Sequence, residues 1–140
     1  MESAQNGGAR RPQANARPFV RGRDIVEDTI ETIEGVPLDG VCRLGLLIAG
    51  ENALVTRSFR GRGLVDPPHR HDDHESIGVL LAGRLKLTIG GEEFVAGPGD
   101  AWLHRRGVVH SSVALEDCVQ IEVKSPPRQT WRPPSKAGGQ

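Results

Sequence analysis

From Val36 to Trp131 the chain alternates short apolar runs with turn residues at nearly even spacing, a rhythm that suits many short strands rather than a helical bundle. Strands are expected at Val41–Ile48, Ala53–Phe59, Ile77–Ala82, Arg84–Ile89, Glu92–Ala96, Ala101–His104 and Val119–Lys124. Arg84, Lys86 and Thr88 alternate with Leu85, Leu87 and Ile89, so that strand should bury one face and wet the other. Gly90-Gly91 fits a two-residue hairpin turn, where positive φ is needed. Gly (18) and Pro (10) together make a fifth of the 140 residues, which agrees with frequent tight turns. The economical architecture is a single all-β sandwich or small barrel over residues 36–131.

The flanks differ. Residues 1–23 carry five arginines, one acid and almost no large apolar side chains, so a disordered basic tail is expected. Residues 24–35 form an acidic lead-in with five acids, able to pair electrostatically with that tail. Residues 132–140 read as a flexible C-terminal tail. Lys+Arg and Asp+Glu each number 18, so the net charge is zero and neither a nucleic-acid nor a membrane partner is indicated. The longest nearly unbroken apolar stretch, Leu44 to Ala49, falls far short of the roughly 20 residues that span a bilayer. The N-terminal arginines are not followed by an apolar core, so no secretory signal is expected and a cytoplasmic location is the simplest reading. Cys42 and Cys118 stand alone in the sequence and read as buried thiols. With no tyrosine, no phenol is available as a catalytic acid.

Histidine placement carries the most chemistry. Pro67-Pro68-His69-Arg70-His71 is held extended by its prolines, and residues two apart in extended backbone share a face. His69 and His71 can therefore hold one metal ion together. His74 reads as a solvated loop residue or a donor to a ligand, and His104 as structural.

Gly63, His69, His71, Glu75, Gly83, the Pro98-Gly99-Asp100 turn and His110 have the order and spacing of the two motifs of the cupin superfamily, which this stretch resembles. The resemblance implies a single-domain RmlC-like cupin, a double-stranded β-helix or jelly-roll barrel, with His69, His71 and His110 as metal ligands. The fourth position is divided. Counting forward from His71 selects Glu75, whereas counting back from Gly83 selects Ser76, and a one-residue slip turns a side chain to the opposite face. A hard anionic ligand favours Glu75; the alternative is three histidines plus water, with Ser76 facing the site.

His74-Glu75-Ser76-Ile77-Gly78-Val79-Leu80, Gly83-Arg84, Thr88-Ile89-Gly90-Gly91-Glu92, Gly97-Pro98-Gly99-Asp100 and Val123-x-Ser125-Pro126-Pro127-Arg128 further resemble the small cupins of pectin degradation that linearise 4,5-unsaturated uronates. That subgroup uses Gln as fourth ligand and a C-terminal Asp, Phe and Arg. Here the corresponding residues are Ser76, Glu122, Lys124 and Arg128. The resemblance implies one divalent transition metal (Zn, Ni, Fe or Mn), Glu122 and Arg128 as catalytic residues, a small anionic carbonyl or sugar-acid substrate for a lyase, isomerase or tautomerase, and a homodimer. An Fe(II) dioxygenase and a non-catalytic binding cupin are the alternatives. Alternation by itself instead puts Val119, Ile121 and Val123 in the core and Gln120, Glu122 and Lys124 on a solvated face.

Overall fold

A computed structural model describes residues 10–132. Three two-residue strands, β1 (Asp28–Thr29), β2 (Thr32–Ile33) and β3 (Val36–Pro37), lead into β4 (Cys42–Ala49), β5 (Leu54–Arg60) and β6 (Val65–His69). There follow β7 (Glu75–Ala82), β8 (Leu85–Ile89), β9 (Glu92–Ala96), β10 (Ala101–His104), β11 (His110–Ala114) and β12 (Cys118–Ser125). A six-stranded sheet in the order β1-β4-β5-β12-β7-β10 faces a four-stranded sheet β6-β11-β8-β9, while β2 and β3 form a small hairpin. The fold is an all-β jelly roll. No helix among the described residues is long and apolar enough to cross a membrane.

The expected strands all form, with ends moved by no more than two residues. Alternation in Leu85–Ile89 places Leu85 and Leu87 in the core as expected. Gly90 and Gly91 take φ of 57° and 85°, the double positive φ of a tight hairpin. Strand β11 was not among the expected strands. Its His-Ser-Ser-Val-Ala sequence lacks an apolar alternation because His110 and Ser112 face a polar interior.

The inward rows explain why one end of the barrel is a core and the other a site. Along β7 the buried residues change from Ser76 to Leu80, along β11 from His110 to Ala114, and along β12 from Lys124 to Cys118. Leu64, Leu80, Leu85, Ala114 and the two unpaired cysteines close the apolar end. Register brings the polar ends together, because His110 pairs with both His69 and Ile89, and Ser76 with both His104 and Lys124.

Gly83, between β7 and β8, has φ of 91°, and a Cβ there would collide with the carbonyl oxygen of Asp117. Backbone cannot yield as a flexible side chain can. Gly83→Ala is therefore expected to cost about 2–5 kcal/mol from positive φ and overpacking together, read as a lowered midpoint in denaturant. An unchanged midpoint would contradict this packing.

The flanks correct the compositional reading. Residues 1–9 and 133–140 of the expected tails lie outside the described residues, but residues 10–15, assigned above to a disordered tail, are tied to the barrel. The Asn15 amide donates to the Ala49 carbonyl at 2.8 Å, and the Gln129 amide to the Arg10 carbonyl at 2.7 Å. Composition gives little apolar burial here, and the segment is held by hydrogen bonds instead. The acidic lead-in contributes β1 and β2, and its expected pairing with the basic tail occurs as an Arg10–Glu34 ion pair at 2.8 Å.

Candidate metal centre

His69 ends β6, His71 follows one exposed residue later, and His110 opens β11 directly opposite His69. The strand stops at His69, yet the inward, outward, inward alternation through Arg70 to His71 persists, so the two histidines share a face as expected. Side-chain nitrogens of His69, His71 and His110 lie within 4.8 Å of one another, close enough to hold one metal ion. All three residues are buried.

Each Nδ1 meets an oxygen acceptor. His69 Nδ1 lies 2.8 Å from the Pro67 carbonyl, His71 Nδ1 2.9 Å from Glu34 Oε2, and His110 Nδ1 3.2 Å from the Val108 carbonyl. Nδ1 therefore carries the proton and donates, which leaves the Nε2 lone pair of each ring for a cation. Asp66, held by Arg60 at 3.3 Å, is also 3.3 Å from His69 Nδ1. Burial lowers His71 well below the ordinary histidine range, with help from Lys124, and lowers His110 to about 4, with help from neighbouring His69, so both rings stay neutral. Buried imidazoles, each oriented by an oxygen acceptor at Nδ1, are the donor set that a divalent transition metal takes, so the residues present fit the ion the resemblance implies.

The fourth position resolves against Glu75. It is exposed at the start of β7, while Ser76 is fully buried and its Oγ accepts from Lys124 Nζ at 3.3 Å. Glu75 would need a bulge to turn inward, but β7 runs in unbroken register with β10 from Ser76 to Val79, and the slip in the motif is absorbed by the loop after His71. The count back from Gly83 was the correct frame.

Strand β12 reverses the reading from alternation. Gln120 and Lys124 are 2% exposed and Glu122 lines the central cavity with them, whereas Val119, Ile121 and Val123 are only half-buried on the outer face. Burial alone would raise the Glu122 carboxyl, but Lys124, with Nζ 3.6 Å away, outweighs it together with His104 and Arg60 and holds it at about 2. Free space at the centre of these side chains is about 20 Å³, on the order of one water molecule. Arg60 Nε, Trp102 Nε1, His104 Nδ1 and Gln120 Oε1 are buried without hydrogen-bond partners, and all four residues line this cavity. Orphaned donors and acceptors around one small space suit a polar occupant.

Arg128 does not reach that cavity. It is not among the residues that line it, and its Nε donates to Asp73 Oδ2 at 3.1 Å. His104, read as structural, stacks on His110 with ring centres 3.6 Å apart. His74 is no solvated loop residue: it is fully buried and donates from Nδ1 to Asp73 Oδ1 at 2.8 Å. Glu34 and Asp66 were missed, since neither stands near a histidine motif in a way that marks it; only the fold brings Glu34 to His71.

Residues 58–122 match the model of the Cupin domain family, Cupin_2. The pectin degradation protein KdgF of Dickeya dadantii (strain 3937) is 32% identical over 91 residues, covering 64% of this chain and 82% of that protein. The solved structure of KdgF from Halomonas sp. aligns with a TM-score of 0.61 at 30% identity, covering 62% of this chain and 80% of that one. An RmlC-like cupin from Shewanella frigidimarina NCIMB 400 aligns over 84% of this chain and 97% of its own, with a TM-score of 0.72, and at 18% identity shows the fold alone. Barrel, histidine placement and these likenesses agree: the chain belongs to the cupin superfamily and is a relative of the KdgF proteins of pectin degradation.

Proposed function

We propose that the protein is a metal-dependent cupin enzyme acting on a small anionic carbonyl or sugar-acid compound, with lyase, isomerase or tautomerase chemistry of the uronate-linearising kind. The observation that carries this reading is the convergence of three buried, oriented imidazoles on a polar cavity that also holds Glu122 and Lys124. His69, His71 and His110 would hold the metal. When bound, a divalent ion there supplies Lewis acidity toward a carbonyl or hydroxyl oxygen.

The chain's own groups do the remainder. Glu122 is ionised through the ordinary pH range, so it enters as a proton acceptor at its carboxylate oxygens, with Lys124 as the neighbouring counter-charge. Relative to the pattern of the subgroup, lysine in place of phenylalanine exchanges a stacking surface for a charge suited to an anionic substrate. Arg128, outside the cavity, offers a planar fork to a substrate carboxylate, in exchange for its present partner Asp73. The homodimer implied by the resemblance is likewise proposed, with the outer side of β7 as its surface, where Ile77 and Leu81 are 44% and 51% exposed.

The test is turnover of 4,5-unsaturated uronates by protein loaded in turn with nickel, zinc, manganese and, without oxygen, iron, followed by NMR of the sugar ring. Conversion to an open-chain keto acid is expected. A metal-loaded protein that leaves every uronate unchanged would contradict the proposal, and oxygen uptake with iron bound would replace it with the dioxygenase reading.

A further inference from the structure

The N-terminal segment crosses the end of the barrel where the histidines lie. Asn15 exchanges two hydrogen bonds with Ala49, one from its amide and one to its side-chain oxygen, each 2.8 Å. Arg11 donates to the Glu51 carbonyl, and the Gln129 amide, next to Arg128, donates to the Arg10 carbonyl at 2.7 Å. Arg10 is thereby placed over the hairpin of β2 and β3. Its side chain is 13% exposed; Nη2 donates to Glu34 Oε1 at 2.8 Å and Nη1 lies 3.7 Å from Asp73 Oδ2.

Glu34 uses both oxygens, accepting from Arg10 at one and from His71 Nδ1 at the other. A carboxylate free to rotate would hold the imidazole loosely; one fixed on its far side by a guanidinium presents a single oxygen in a single direction. Glu34, His71 and His74 are close enough together to hold a cation themselves. Both Glu34 oxygens and His71 Nδ1 are already engaged, however, and Arg10 brings positive charge to the cluster. It is better suited to orienting His71 than to binding a second ion.

We infer that Arg10 is a positioning residue for the metal ligand His71, acting through Glu34, so that a segment lying outside the matched cupin region of residues 58–122 is a working part of the metal centre. This rests on the three-histidine reading of the site. It assigns Arg10 no contact with substrate. It makes metal affinity and ligand geometry depend on a residue far from the histidine motifs in sequence.

Cobalt(II) is the probe, because its visible absorption reports ligand geometry and its affinity can be measured by competition without any substrate. Glu34→Ala should weaken binding about 10–100-fold, the usual effect of losing a partner behind a histidine ligand. Arg10→Ala should weaken it several-fold and change the absorption bands, and Arg10→Lys should restore part of both. The double variant should bind no more weakly than Glu34→Ala alone, since the two residues act in series. Arg11→Ala removes one exposed anchor of the same segment while the Gln129–Arg10 and Asn15–Ala49 hydrogen bonds still hold Arg10 in place, so it should behave as wild type and serves as the control for loss of a neighbouring arginine. Arg10→Ala indistinguishable from wild type, losses that multiply in the double variant, or an equal loss in Arg11→Ala would each overturn the inference. Wild-type protein that takes up no cobalt would overturn the three-histidine reading and this inference with it; cobalt uptake indifferent to Arg10 overturns this inference alone.

Discussion

Replacing Glu122 by glutamine is expected to lower kcat by about 10²–10⁴-fold while metal content stays near wild type, and to lower the melting temperature at neutral pH because buried Lys124 loses its counter-charge. Glutamine keeps the length and much of the hydrogen bonding of the side chain but cannot take up a proton. The expectation rests on the inward turn of β12, which puts Glu122 in the cavity beside Lys124 and within the surroundings of His104 and His110. The same pairing predicts a sign for stability. The folded-state pKa of about 2 lies below the usual value of 4.5, so the ionised carboxylate stabilises the fold fully above pH 4.5, and that contribution is lost as pH falls from there toward 2. Glu122→Gln should flatten this part of the acid unfolding curve. Turnover near wild type in Glu122→Gln would remove the residue from the chemistry and leave it as a counter-ion to Lys124.

The second large effect is on the metal. His69→Ala combined with His71→Ala should abolish binding of divalent ions at micromolar concentration and leave a folded barrel. Removing two of three imidazoles takes away most of the donor set, and Ser76 and Lys124 offer no anionic replacement. Folding should survive because Leu64, Leu80, Leu85, Ala114 and their neighbours form the apolar core at the far end of the barrel. Equilibrium dialysis paired with circular dichroism reads both halves, and metal retained in stoichiometric amount would contradict the assignment.

The strands and the three histidines were legible because each is a local signal. Apolar alternation and Gly-Gly turns fix strand positions, and proline-enforced extension fixes His69 against His71. What misled had a shared cause, namely that the interior of this barrel is polar at one end. Alternation assumes that the apolar side of a strand faces in, so it put Val119, Ile121 and Val123 inside and turned Glu122 and Lys124 out; it also hid β11, whose inward residues are His110 and Ser112. Glu75 was preferred on ligand strength, but pleating, set by the register of β7 with β10, decided for Ser76. Glu34 and Arg10 were beyond reach for a different reason. They meet His71 only through long-range closure of the chain, Glu34 and His71 being 37 positions apart, and a segment with so little apolar content gives no sign that it will dock.

The most direct test of the central claim is elemental analysis of protein purified without a metal-affinity column, alongside His110→Ala prepared in the same way. The account predicts close to one equivalent of a single divalent transition metal per chain in the wild type and almost none in the variant, with both proteins folded. No metal in either, together with no rise in melting temperature when divalent ions are added, would contradict the metal centre and favour a barrel that binds small molecules without catalysis.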